Sequence, residues 1–135
     1  MKRLLLTTTL TLGLLLGGSA VTAGASDVPS QLNTLYMTYK QIDSAFNSST
    51  STNASIEILF VRYSSEAVVL AGDDHTRSKI VNADIRAYAV AANNWAWVGY
   101  RTVASNTSNM GPWKAANSTL NAVVVKFTKD LKANK

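Results

Sequence analysis

The chain has 135 residues, of which 47% are hydrophobic and 16% charged, and it carries a formal net charge of +5 without any cysteine. This balance excludes an intrinsically disordered chain, and the absence of cysteine excludes disulfide bonds, a thiolate nucleophile and a cysteine metal ligand. The length is typical of one folded domain with a real hydrophobic core.

The amino terminus has the three-part order of a secretory signal. Lys2-Arg3 precede an apolar run from Leu4 to Val21, and Ala23-Gly24-Ala25 then supply small residues for cleavage. The alternative is a retained membrane anchor, but the run is near the lower length limit for a span and contains threonine and glycine. We predict a signal peptide over residues 1–25 and a single helical domain over 26–135. The chain would then be secreted or held at the cell surface of a bacterium, with no transmembrane span after signal removal.

The first predicted element of the domain is a helix that begins near Pro29, where a missing N–H costs no helical hydrogen bond. Its apolar residues recur at steps of four and three, which places them on one helical face: Val28, Leu32, Leu35, Tyr39, Ile42 and Phe46. The polar run over residues 47–52 follows and has no apolar anchor, so we interpret it as a loop.

The second segment, Asn53 to Ala71, fits two interpretations. One set of apolar residues has helical spacing: Ile56, Leu59, Phe60, Tyr63, Ala67 and Leu70. However, Ile56, Ile58 and Phe60 also alternate, and the surrounding residues are strand formers. We expect a helix because no hairpin turn or partner strand lies nearby, and Gly72 is a suitable residue to end it.

The third segment extends to about Ser105 and again has four-three spacing: Val81, Ile85, Tyr88, Ala92, Trp95, Gly99 and Thr102. Asn93, Asn94 and Gly99 are poor helix formers in its middle, which predicts a kink or a break.

Gly111-Pro112 then separates a last helical segment, whose apolar residues are Trp113, Ala116, Leu120, Val124, Phe127 and Leu131. Four helices with short connections predict an all-α fold, a four-helix up-down bundle. The alternative is an α+β fold with a strand near residues 56–63.

One possible reactive group lies between the second and third segments. His75 is the only histidine and follows Asp73 and Asp74. An imidazole beside a carboxylate could act as an acid–base pair in a small hydrolase or lyase. The same residues could instead begin a helix, because aspartate favours the positive end of the helix dipole. One histidine and two adjacent aspartates do not make a zinc site, which usually needs four ligands or three plus a water, so we predict no metal and no cofactor.

Trp97 is the first candidate binding residue. It is two residues from Trp95, so the two side chains point about 200° apart around a helix and cannot share one stripe. Broad apolar coverage of this segment favours packing of Trp97 against a second neighbour. An exposed Trp97 would instead mark a ligand, partner or membrane interface.

Charge divides unevenly along the chain. Residues 26–74 carry six acidic and two basic side chains, whereas residues 75–135 carry nine basic and two acidic ones. Lys126, Lys129 and Lys132 crowd the end of the last helix, where cations complement the helix dipole. They could also dock an anionic envelope polymer. No aromatic residues are interleaved as a nucleic-acid surface requires.

Three functional classes therefore remain open. The favoured one is an exported helical binding module that acts on an anionic envelope polymer or a partner protein. The second is the hydrolase or lyase described above, although no phosphate loop or nucleophile-turn motif supports an enzyme. The third is a carrier that holds a small apolar ligand between helices, against Tyr88, Trp95 and Trp113.

Overall fold

Four helices make up most of the computed structural model, which describes residues 28–72 and 79–133. They are α1 (Val28–Phe46), α2 (Asn53–Gly72), α3 (Lys79–Ser105) and α4 (Gly111–Ala133), and these described ranges contain no strand. The prediction of an all-α helical bundle is confirmed. The up-down order of the helices stays a prediction, and the signal peptide lies outside the described residues.

The helices pack mainly on their neighbours in the chain. α2 packs against α1 and α3, α4 packs against α3, and the interface between α2 and α3 is the most extensive. The core is formed by the predicted stripes, whose largest fully buried side chains include Leu32, Leu35, Ile42, Ile56, Phe60, Tyr63, Leu70, Tyr88, Trp95, Trp113 and Phe127. Burial of these apolar surfaces supplies most of the favourable free energy of folding.

The strand alternative near residues 56–63 is wrong, because this stretch lies inside α2. Ile56, Phe60 and Tyr63 are completely buried, whereas Ile58 is 67% exposed. A strand would place Ile58 on the opposite face to its immediate neighbours but on the same face as Ile56 and Phe60. The observed separation of Ile58 from those two residues is therefore helical, and tertiary packing overrides the local preference for strand.

Side chains at the start of α2 fix where this helix begins. The Thr52 backbone N–H donates to Ser55 Oγ at 3.1 Å, and the Ser55 backbone N–H donates to Thr52 Oγ1 at 3.1 Å. This reciprocal pair is equivalent to a capping box, with serine in place of the usual glutamate. It ends the polar loop and sets the orientation of the first turn of α2.

Trp95 lies at the centre of an aromatic core. Its ring centroid is 5.1–5.8 Å from those of Tyr39, Phe60, Tyr63 and Trp113, so residues from all four helices meet around it. Its indole Nε1–H donates to Asn117 Oδ1 at 2.6 Å, which satisfies a polar group that burial would otherwise leave unpaired. This cluster links α3 to each of the other helices.

The predicted break in the third segment is wrong, because α3 continues over 27 residues. Two of the three poor helix formers there, Asn93 and Gly99, have tertiary partners. Ser64 Oγ on α2 donates a hydrogen bond to Asn93 Oδ1. Gly99 lies so close to Phe60 and Trp113 that an added Cβ would be 2.4 Å and 2.7 Å from their ring atoms. These residues let α2 and α4 approach α3 closely, and the resulting packing offsets their low helix propensity.

Candidate interaction surface

The three tryptophans have very different environments. Trp95 and Trp113 are 0% and 1% exposed, whereas Trp97 is 39% exposed. The expectation that Trp97 packs into the core is therefore wrong. α2 and α4 both pack against α3, and their packing leaves more than a third of the Trp97 side chain exposed. A large aromatic side chain left at this degree of exposure is a candidate binding residue.

Trp97 does not stand alone on the surface of α3. Its ring contacts that of Tyr100 edge-on, with centroids 5.4 Å apart, as expected for residues three apart on one helix. Tyr100 in turn lines a shallow cavity of about 300 Å³ between α2 and α3, whose other walls are Ala54, Glu57, Ile58 and Val61. We call Ile58, Val61, Trp97 and Tyr100 the aromatic surface.

The aromatic surface continues along the outer face of α2. Val68 and Val69 are more than half exposed, about two turns beyond Val61. Glu57 is the only charged side chain among those that line the cavity. Contiguous exposed apolar groups of this kind, on a helix whose opposite face already supplies the core, are typical of a protein-binding surface.

Of the three predicted binding lysines, Lys126 forms ion pairs within the described structure, whereas Lys129 and Lys132 do not. Lys126 Nζ donates to Asp130 Oδ2 at 2.6 Å and to Asp84 Oδ1 at 2.8 Å, so its charge is matched within the fold. Lys129 and Lys132 are exposed and form no ion pair with any described residue. Only these last two lysines of the predicted set are therefore available to an external anion.

The ion pair around Lys126 joins two helices. Asp84 on α3 is 4% exposed, and this burial raises the pKa of Asp84 above its usual value, against the opposing effect of Lys126. Asp130 lies on α4, and the hydrogen bond from Lys126 lowers the pKa of Asp130. The hydrogen bonds to Asp130 and Asp84 raise the pKa of Lys126. Lys126 thus stabilises a buried carboxylate, which is a structural role.

A second cavity of about 250 Å³ lies where α3 leads into α4. Its walls are Val98, Arg101, Thr102, Ser105, Thr107, Asn109 and Pro112. The hydroxyl groups of Thr102 and Ser105 donate to the carbonyl oxygens of Val98 and Arg101, both at 2.7 Å. These two donors are satisfied within α3, which leaves the side chains of Arg101, Thr107 and Asn109 as the other possible hydrogen-bond donors to a ligand in this cavity.

The remaining sequence predictions concern a catalytic group, a ligand site between helices and a metal site. His75, Asp73 and Asp74 lie outside the described residues. Tyr88, Trp95 and Trp113 are buried, and neither of the two cavities above is lined by them. Within the described ranges, no three histidine, aspartate or glutamate side chains come together as metal ligands. Among the helices described, none combines the length and the apolar character needed to cross a membrane.

Comparison with known proteins adds no relative to this description. No protein-family model, no curated protein and no solved structure matches the chain.

Sequence reasoning identified Trp97 but missed its neighbours on the aromatic surface. From the sequence, Ile58 and Val61 belong to a stretch that fits either a helix or a strand, and no pattern marks Tyr100 as a surface residue. A usable signal was present, because apolar residues on α2 occupy a second helical face in addition to the core stripe. A helix with two apolar faces needs a second covering surface.

Proposed function

We propose that this protein is an exported interaction module that binds a partner protein through the aromatic surface. The observation that carries the proposal is the exposure of Trp97 and its contact with Tyr100, beside the apolar outer face of α2. The export step rests on the amino-terminal sequence, with its basic, apolar and small-residue order.

The chemistry of the surface favours a protein partner. Trp and Tyr supply large rigid contact areas, and such side chains dominate the binding energy of many protein interfaces. Glu57 gives the cavity one hydrogen-bond acceptor at its edge, and no basic side chain lines it. A polyanion would need clustered cations, and Lys126 is occupied by Asp84 and Asp130.

An anionic envelope polymer is the second candidate, because Lys129 and Lys132 are exposed on α4. Two lysines give a weak and salt-sensitive attraction at physiological ionic strength. The two candidates use different helices, so variants of one surface leave the other intact.

The test compares two variants of the secreted protein, Trp97→Ser and the double charge reversal Lys129→Glu/Lys132→Glu. Binding to an envelope protein fraction and to isolated wall polymer is measured by co-sedimentation. We expect Trp97→Ser to lose binding to the protein fraction and the charge reversal to retain it. If Trp97→Ser still binds the protein fraction, the proposal is overturned. If only the charge-reversal variant loses binding, and it loses binding to the wall polymer, the polymer is the ligand.

Fluorescence quenching gives a direct readout of the same surface. Because Trp95 and Trp113 are buried, acrylamide should quench mainly Trp97. Adding the envelope protein fraction should protect this component, and the component should be absent from a Trp97→Phe variant. An unbound protein in which acrylamide quenches none of the tryptophans would contradict the exposed position of Trp97.

A further inference from the structure

The outer face of α2 carries a second seam of small and β-branched residues. Its members recur at steps of four and three, the same rhythm as the core stripe of this helix: Ala54, Ile58, Val61, Ser65 and Val68. None of them is charged, and all five are exposed. Such a repeat is the pattern by which one helix packs along another, and here the described chain supplies no helix to cover it.

We propose that a second copy of this chain covers the outer seam, so that the protein forms a two-fold symmetric dimer in which α2 packs antiparallel to α2 of the partner. This inference rests on the proposed function, because it names the protein that the apolar surface binds. A two-fold interface requires one surface to be complementary to itself, and a seam that is uncharged along its whole length can pack against its own copy without facing like charges.

The charges on α2 favour the antiparallel orientation. When the two helices cross near their midpoints, Ile58 of one copy faces Val68 of the other, and Val61 faces Ser65. Glu57, Arg62 and Glu66 are the charged residues of α2, and in this register none of them faces a like charge. A parallel pairing would bring each of them opposite its own copy, which is unfavourable.

The exposed apolar area would form about half of a standard dimer interface. Ile58, Val61, Val68, Val69 and Trp97 are between 39% and 67% exposed. Scaled by the areas typical of these side chains, they present about 450 Å² of apolar surface, which is within the range of the largest patch on a typical monomer. A standard interface buries about 800 Å² per partner, and the polar residues that border the seam would supply much of the difference.

The experiment is sedimentation equilibrium of the secreted protein from micromolar to millimolar concentration. We expect the mass to double as concentration rises. Ile58→Glu should shift the dimerisation constant by at least tenfold towards the monomer. Val125→Glu is the matched control, because Val125 is an equally exposed apolar residue on α4 and its substitution should leave the dimer unchanged. Circular dichroism verifies that both variants keep their helices.

A rescue variant tests the register. In the double variant Ile58→Glu/Val68→Lys, each glutamate faces a lysine of the other copy, so the dimer should return when salt is low and weaken as salt is added. Failure of this rescue would overturn the antiparallel register.

A wild-type protein that stays monomeric throughout, or a dimer that survives Ile58→Glu, would overturn the inference. A monomer that still binds the envelope protein fraction through Trp97 would overturn the dimer and leave the proposed function standing.

Discussion

Substituting Gly99 by alanine tests the close packing of α2 and α4 on α3. The tertiary structure decides whether this substitution raises or lowers the free energy of unfolding. The new Cβ would lie 2.4 Å from Phe60 Cε1 and Cζ and 2.7 Å from Trp113 Cζ3. Carbon atoms in favourable contact are about 3.5–4.0 Å apart, so the two rings would have to retreat by roughly 1 Å. Both rings are buried and both contact Trp95, which leaves them little room.

Two opposing effects set the magnitude. Overpacking a dense core costs about 1–3 kcal/mol, and a contact this short belongs at the upper end of that range. Replacing glycine by alanine inside a helix contributes about 1 kcal/mol of stability when nothing else changes. The expected result is a loss of about 1–2 kcal/mol in the free energy of unfolding, whereas helix propensity alone predicts a gain of about 1 kcal/mol.

Urea unfolding followed by circular dichroism measures this change by linear extrapolation. Gly111→Ala is the control, since its Cβ would meet only Asn109 Oδ1 at 3.2 Å at an exposed helix start. Its stability should change by less than about 0.5 kcal/mol. Adding Phe60→Leu to the Gly99→Ala variant removes the two closest clashing atoms, those of the Phe60 ring, so the two substitutions should be strongly coupled. A Gly99→Ala variant more stable than the wild type would refute the close packing of α2 on α3.

Three further measurements address the polar and ionisable groups. Asn117→Ala leaves the buried indole N–H of Trp95 without its acceptor, and urea unfolding should show a loss of about 1–3 kcal/mol. Lys126→Ala leaves the buried carboxylate of Asp84 without its lysine partner, so it should lower the thermal midpoint more than Lys129→Ala. Equal effects of the two substitutions would contradict the structural role of Lys126. Burial raises the pKa of Tyr88 from 10.0 to about 12, so the contribution of this phenol to folding stability should be constant below pH 10. It should then fall by roughly 2–3 kcal/mol as the pH rises past 12, because the unfolded chain releases this proton first. Urea midpoints across that pH range, with tyrosinate absorbance, test this loss, and a constant midpoint would refute it.

The ambiguity of the second segment has a physical origin in its two seams. Because α2 carries apolar residues on its core face and on its outer face, residues two apart are often both apolar, and this resembles the alternation of a strand. Ile56 and Ile58 differ completely in burial although they look equivalent in sequence. Only the position of α3 and α1 against α2 shows which of them belongs to the core.

The positions of the helices, by contrast, are local properties of the sequence. Four-three spacing places apolar residues on one helical face, and Gly72 and Gly111-Pro112 interrupt the pattern where α2 ends and α4 begins. The core residues of all four helices follow from the same spacing, because a stripe of that kind must be buried somewhere.

What the tertiary structure alone decided is which faces meet. The exposure of Trp97, the pairing of Lys126 with Asp84 forty-two residues away, and the need for glycine at position 99 all depend on contacts between distant segments. Periodicity gives the direction of a side chain around its own helix, but it carries no information about the neighbour that this direction meets. The sequence therefore determined the helices and their core stripes, and the packing of those helices determined which apolar side chains stay exposed.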